Sequence, residues 1–329
     1  MPSSLSAGFA LPGRLRTRSS RGRRSAGDRA MLALCALAGV IVVFVLAEIV
    51  YQVVHGAAPA ISRFGLGFLV NPNWQPNFGR FGAAAAIYGT VMTALISLLI
   101  AVPLGIGIGL YLSMMAPPGV RAVVGPLVEM LAAIPSVIVG FWGVIVLAPF
   151  LAGHLEGFLH SVFGFIPLFG HPQVAGLSLF TAGVGLTVMV LPIIAALSRD
   201  LFRTVPAELT DGATALGATR WEVMRGIVLP STASGVASAV VLALGRALGE
   251  AIAVTQMVGD GIDIHANMFL PANTLASRIV DEFPTPESRL DIPSLFYLGV
   301  ILLALGLLAS LGSRVIASRF DVRSRLVSA

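Results

Sequence analysis

Six stretches of this chain are long and apolar enough to require a lipid environment. They lie at about residues 31–54, 83–116, 123–151, 176–197, 234–258 and 292–316. A helix needs about 20 apolar residues to cross the hydrocarbon core, and every backbone amide within it must be bonded inside the segment. Each stretch therefore predicts one membrane-spanning helix. Of the 329 residues, 56% are hydrophobic and only 11% charged, with a mean hydropathy of +0.90. A water-soluble core could not hide that much apolar surface. The predicted fold class is all-α, a polytopic membrane bundle of six transmembrane helices.

Charge orients the bundle. All 21 basic residues are arginines, and they sit in short clusters beside the apolar stretches. This placement excludes the nucleic-acid reading that a pI near 10.3 would suggest. Residues 1–30 carry Arg14, Arg16, Arg18, Arg21, Arg23, Arg24 and Arg29 among Ser and Gly, which predicts a disordered tail held on the cytoplasmic side. The apolar run after it is too long for the core of a cleaved signal peptide. The loop at 55–82 has only Arg63 and Arg80, the loop at 152–175 has no arginine, and in 259–291 Arg278 and Arg289 are outnumbered by acidic residues. The other side collects Arg121, Arg199, Arg203, Arg220, Arg225, Arg314, Arg319, Arg323 and Arg325. Arginine on one side at every loop predicts that both termini and the segment 199–230 are cytoplasmic. The expected divisions are the tail 1–30, a first helix 31–54, an outer loop 55–82, a core 83–317 and a C-terminal tail 318–329.

Several residues interrupt the apolar spans. Pro103, Pro135 and Pro192 lie inside the second, third and fourth stretches. Gly105, Gly107 and Gly109 supply small residues four apart, which permit close helix–helix approach. Arg246 and Glu250 lie in the fifth stretch, four apart and hence on one helix face. A charge in hydrocarbon is unfavourable by about 2.5–3.5 kcal/mol on insertion scales, so such residues pair or line a polar path. Both readings stand: a structural ion pair, or a pathway in which Arg246 attracts an anion and Glu250 moderates the attraction so that the anion can leave. Glu129 reads as a snorkelling or capping residue, Glu48 as an interfacial one, and Cys35 as a buried structural thiol. His154, His160 and His171 share an outer loop at spacings that match no metal motif. With no lysine there is no phosphate-binding Gly-Lys-Ser/Thr loop, and no nucleophile–base pair is evident. No catalytic residue, metal site or cofactor is expected.

The most informative polar segment is Asp211-Gly212-Ala213-Thr214-Ala215-Leu216-Gly217, followed after nine residues by Ile227-Val228-Leu229-Pro230. Small residues leave one side of a short helix bare, and Gly217 can adopt the positive φ of a sharp turn. Trp221, Val223, Met224 and Ile227 suit a second short amphipathic helix, which Pro230 either ends or hands on to the next element. The segment predicts a helix–turn–helix outside the bilayer, with a knob that another protein could grip.

This pattern resembles the cytoplasmic coupling loop of ABC-importer permeases, with Asp211-Gly212-Ala213 where that family has Glu-Ala-Ala, and with Gly217, Ile227, Leu229 and Pro230 at the family's spacing. The departure at the first two positions keeps the charge and loosens the helix by about 1 kcal/mol. Further stretches, Ile87-Tyr88-Gly89-Thr90, Ala101-Val102-Pro103-Leu104-Gly105-Ile106-Gly107, Glu129-Met130-Leu131-Ala132-Ala133-Ile134-Pro135-Ser136-Val137 and Gly245-Arg246-Ala247-Leu248-Gly249-Glu250, resemble the phosphate ABC-importer permeases over residues 60–317. Of the two types, PstC and PstA, the run from Gly245 into Thr255 is more similar to PstC. The resemblance implies a type I importer-permease fold in a bacterial inner membrane. It implies a PstA-like second permease, two PstB-like ATPase subunits that grip the coupling loops, and a PstS-like phosphate-binding protein. It also implies transport roles for Arg246 and Glu250. Another oxyanion such as sulfate or molybdate, a membrane component of phosphate sensing, and a passive channel are the competing readings.

Overall fold

The computed structural model describes the backbone of residues 26–319 and the side-chain surroundings of residues 27–312. The expected disorder of the N-terminal tail up to residue 25, and the C-terminal tail from residue 320, lie outside the described residues. The helices that carry the fold are α1 (Ala26–Phe64), α2 (Ala84–Met115), α3 (Pro118–Ala132), α4 (Ser136–Phe163), α5 (Leu179–Phe202), α6 (Ala207–Ala215), α7 (Arg220–Gly249), α8 (Ile252–Val258), α9 (Leu275–Glu282) and α10 (Asp291–Arg319). Among the described residues there is no strand, only isolated bridges between Gln75 and Arg80 and between Gly259 and Ala272. Six of these helices, α1, α2, α4, α5, α7 and α10, are long and apolar enough to cross a membrane.

The chain divides into two units, residues 1–51 and 52–329. The described part of the first is helical throughout, and its apolar side chains are exposed on every face. Cys35 is exposed with them, which corrects its reading as a buried thiol: within this unit no second element covers the helix.

The second unit is built around α5, whose most apolar window is 72% buried. Its principal partner is α2. A Cβ at Gly105 would stand 2.8 Å from Ile194, and one at Gly109 would stand 3.0 Å from the backbone nitrogen of Arg199. Gly183 of α5 receives Ile96 in the same way. Ala94, Ser97 and Ala101 are buried along this seam. With no side chains between them the backbones approach closely, the way lipid-embedded helices gain dispersion energy when both lipid and helix are apolar. Gly107 faces the other way, with nothing within 4 Å of its Cβ position.

Several helix limits differ from the expected ones. The first helix extends from 31–54 to 26–64, so the outer loop expected at 55–82 begins as helix. The third span is not 123–151. The chain breaks at Ala133–Pro135 into α3 and α4, because Pro135 donates no hydrogen bond and disfavours helix in the residue before it. Pro103 and Pro192, by contrast, lie within continuous helices. The third span then runs on to Phe163 through two stretches of π-helix, 143–147 and 151–156, so His154 and His160 are helical rather than in a loop. The fifth span is not an unbroken 234–258. It starts at Arg220 and ends at Gly249, and the chain is extended at Glu250 (ψ 118°) before α8 begins.

The two breaks lie side by side. Gly140, one turn into α4, would place a Cβ 3.1 Å from the Cα of Ala253 in the first turn of α8, and Met257 packs against Gly143 one turn further. The two half-helices therefore run parallel from neighbouring starts.

Two buried polar clusters hold the end of the bundle away from α6. Glu156 is fully buried and accepts a hydrogen bond from Ser178 Oγ at 3.2 Å, while Ser178 caps α5 by accepting from the Thr181 amide. Arg278, 5% exposed, pairs with Glu282 at 3.0 Å and Asp260 at 3.6 Å and lies over the Trp74 ring. It ties α9 to the segment after α8 and to the chain before α2.

The α2–α5 seam yields a paired prediction. Gly109→Val should overpack it and lower stability by about 1–3 kcal/mol, whereas Gly107→Leu should leave the thermal midpoint in detergent unchanged. Equal midpoints for both variants would contradict this packing.

Candidate functional site

The structure places the predicted site residues in two groups. The first is the polar segment between α5 and α7. Its helix α6 closes at Leu216, and Gly217 follows with φ +89°. The Ala218 amide donates to the Ala213 carbonyl at 3.1 Å and the Gly217 amide to the Thr214 carbonyl at 3.0 Å. This paired return is a Schellman turn, which uses the left-handed residue to satisfy two end carbonyls. Two residues later Thr219 opens α7 with a capping box: the Glu222 amide donates to Thr219 Oγ1, and Glu222 Oε2 accepts from the Thr219 amide at 2.7 Å. The Thr-x-x-Glu spacing signals this box in the sequence; the sequence reading above missed it.

The second helix of the segment is not a separate short one. It is the first part of α7, and a π turn at 224–228 carries the chain past Pro230 without a stop. Ser231 and Thr232 hydroxyls donate to the Ile227 and Val228 carbonyls at 2.6 and 2.7 Å. Pro230 therefore neither ends nor starts a helix.

The segment's residues divide by role. Ala213 and Leu229 pack against a small cluster of Phe202, Val223, Val228 and Val236 at the ends of α2, α5 and α7. Ile227 is half-buried and Pro230 exposed. Asp211, Gly212 and Gly217 face outward, and no atom lies within 4 Å of a Cβ built on either glycine. The knob is thus bare on one side and bolted to the bundle on the other. Nearby, Arg199 is 11% exposed and bonds Glu129 of α3 and Asp200, each at 2.8 Å. Glu129 is therefore an ion-pair partner that tethers α3, rather than a snorkelling or capping residue.

The second group is Arg246 and Glu250. Roughly 25 Å of helix separates Leu229 from Arg246 at 1.5 Å per residue, so the two groups do not form one site. Glu250 lies past the end of α7 rather than on one helix face with Arg246. Its side chain is 9% exposed, and one oxygen sits 3.8 Å from Arg246 Nη2 while the other accepts from the Ala253 amide at 3.5 Å, across the break. Arg246 is 43% exposed. At 3.8 Å the contact is ionic but too long for a hydrogen bond. Arg246 belongs to an open face of α7 with Ser238, Leu242, Gly245 and Gly249, while Ala243 and Ala247 bury the opposite face. Both glycines beside the charges leave open space, which favours access over close packing within this chain. Of the histidines, the rings of His160 and His171 lie 4.2 Å apart between centroids, tilted by 45°, and among the described residues no group of three or more potential ligands could hold a metal ion.

Residues 101–322 match the family model described as "Binding-protein-dependent transport system inner membrane component". Over 320 residues the chain is 40% identical to a protein of Mesorhizobium japonicum named phosphate transport system permease protein PstC, covering 96% of this chain and 98% of that one. It is 39% identical over 285 residues to the protein of the same name from Pasteurella multocida, covering 86% and 89%. Among solved structures, a chain of a bacterial alginate ABC transporter, in complex with an alginate pentasaccharide-bound periplasmic protein, matches with a TM-score of 0.57 at 18% identity, covering 90% of this chain and 96% of that chain. A chain of the inward-facing MetNI methionine ABC transporter matches with a TM-score of 0.53 at 18% identity, covering 72% and 94%. At this identity the likeness is one of fold.

The turn at Gly217 generates a prediction of its own. Gly217→Ala forces a side chain into φ +89° and should raise amide exchange across residues 207–219 by about fivefold, the equivalent of about 1 kcal/mol. Gly212→Ala, within α6, should slow exchange there. Equal exchange in the two variants would contradict the turn.

Proposed function

We propose that this chain, which belongs to the PstC family of binding-protein-dependent transport system inner membrane components, is one of two permease subunits of an ATP-driven phosphate importer. The observation that carries this reading is Arg246: a guanidinium inside a membrane-spanning helix, on its open face, whose one carboxylate neighbour is too distant to consume its donors. An anion meeting that face finds a fixed positive charge in a low-dielectric setting, where such a charge acts strongly. Glu250, held at the helix break by the Ala253 amide, keeps the attraction moderate, so that the anion is released as well as bound. The small residues flanking Arg246 leave room for the other half of the path, supplied by a PstA-like second permease.

In this reading both termini and the segment 199–230 are cytoplasmic, as the arginine asymmetry favours. The outward side of α6, with Asp211, Gly212 and Gly217, docks on one of two PstB-like ATPase subunits, while a PstS-like binding protein delivers phosphate from the far side. Because Ala213 of the knob packs on the cluster that holds Val223, Val228 and Val236 of α7, a push on the knob by closing ATPases moves the same helix that bears Arg246. The result is a rigid-body switch of access from one face to the other. The hydrolysis takes place in the partner, and no covalent chemistry occurs in this chain.

The test is uptake of labelled phosphate into proteoliposomes carrying the assembled complex, with binding protein outside and ATP within. We expect ATP-dependent uptake that excess sulfate and molybdate leave intact, and a fall of at least about tenfold with Arg246→Ala in complexes that still assemble. Uptake suppressed by sulfate or molybdate would keep the importer and reassign its oxyanion. Assembly and ATPase binding without any uptake would favour a sensing role, and flux without ATP would favour a channel.

A further inference from the structure

A groove of about 560 Å³ opens where α2 ends and α7 begins. One wall is Gly107, Tyr111 and Met115 of α2; the other is Trp221 and Met224 of α7. Arg220 stands in its lining. The bare Gly107 is what leaves the groove open, since the glycines on either side of it face α5 and it does not. Above the groove, the exposed side chain of Leu104, three residues before Gly107, continues the same apolar stripe of α2. A hydrocarbon chain lying along that stripe would end in the groove.

The polar groups sit where a lipid headgroup would need them. Tyr111 and Trp221 are both exposed, and amphipathic rings of this kind favour the membrane–water boundary. Arg220 is exposed and forms no ion pair among the described residues. The nearest acidic residue in sequence, Glu222, is engaged in the Thr219 capping box. An unpaired guanidinium at the end of an apolar groove is complementary to a phosphodiester attached to an acyl chain.

We propose that this groove binds an anionic phospholipid, with an acyl chain between α2 and α7 and its phosphate on Arg220. The proposal rests on the cytoplasmic placement of α6 argued above, which sets the groove in the leaflet rich in anionic lipid. A lipid there would bridge the end of α2 and the first turn of the helix that carries the knob.

The experiment uses the assembled complex in nanodiscs containing brominated phosphatidylglycerol or brominated phosphatidylcholine, without phosphate or ATP. The outcome is therefore independent of whether phosphate is the cargo. Bromine quenches nearby indoles, and the share of Trp221 is the difference between the native chain and its Trp221→Phe variant. We expect half-maximal quenching of Trp221 at a mole fraction about fivefold lower for the anionic lipid, the worth of one basic side chain near a charged surface. Arg220→Gln, at an exposed unpaired position, should bring the two lipids level. Gly107→Leu should fill the groove and weaken quenching by both lipids in a chain that remains folded. Equal quenching by both lipids that Arg220→Gln leaves unchanged would reduce the groove to ordinary lipid contact and overturn the proposal. Absence of quenching by either lipid would mean that a protein partner covers the groove, and would overturn it as well.

Discussion

The bundle depends on the direct contact of α2 with α5. In lipid, apolar side chains gain little by leaving their surroundings, so association depends on how closely two backbones can approach. Gly105 and Gly109 on α2, and Gly183 on α5, remove the side chains that would hold the pair apart. The rest of the second unit is arranged around this pair. Val228 and Val236 of α7 close a cluster with Phe202 of α5 at one end. At the other end, the segment after α8 folds back so that Leu179 and Phe180 donate to the Leu270 and Met268 carbonyls.

On that scaffold the chain tolerates two interruptions that a simple spanning helix could not. Non-helical backbone at membrane depth survives where it is buried in protein or lines a polar cavity. The breaks at Ala133–Pro135 and at Glu250 lie beside each other because α4 and α8 pack together through Gly140 and Gly143. Broken helices of this kind mark ion and substrate sites in transporters. Here one break holds the carboxylate nearest to Arg246, so the irregular backbone and the exposed guanidinium belong to one locality.

Much of this was legible in the sequence. Hydropathy found all six spans, and Gly217 announced its left-handed turn through the small residues before it. The breaks were not legible, because the apolar residues around Pro135 and Glu250 keep the hydropathy high while the backbone changes course. Proline alone does not decide the matter: Pro103 and Pro192 sit in unbroken helices, whereas Pro135 ends one. The difference lies in tertiary packing that no local pattern records. Arg278 could have been suspected from its spacing to Glu282, but its burial follows from contacts with Trp74 and Asp260, distant in sequence. Glu156 had no signal at all, since its partners Ser178 and Thr181 come from the next helix. The continuity of α7 through Pro230 was hidden for a similar reason: a π turn at 224–228 carries the helix past a residue that usually interrupts one.

The account stands on the open face of α7 being a water-accessible anion path rather than a lipid-facing surface. Its most direct test is thiol labelling of the assembled complex in a Cys35→Ser background, which removes the chain's single cysteine. Gly249→Cys and Gly245→Cys would be compared with Leu99→Cys, an exposed position on α2, using a charged, membrane-impermeant reagent. The account predicts that both α7 positions react during ATP-driven turnover, that phosphate slows the reaction several-fold, and that the α2 position stays inert. Cysteines at 245 and 249 as unreactive as the one at 99, or a reaction indifferent to phosphate, would contradict it.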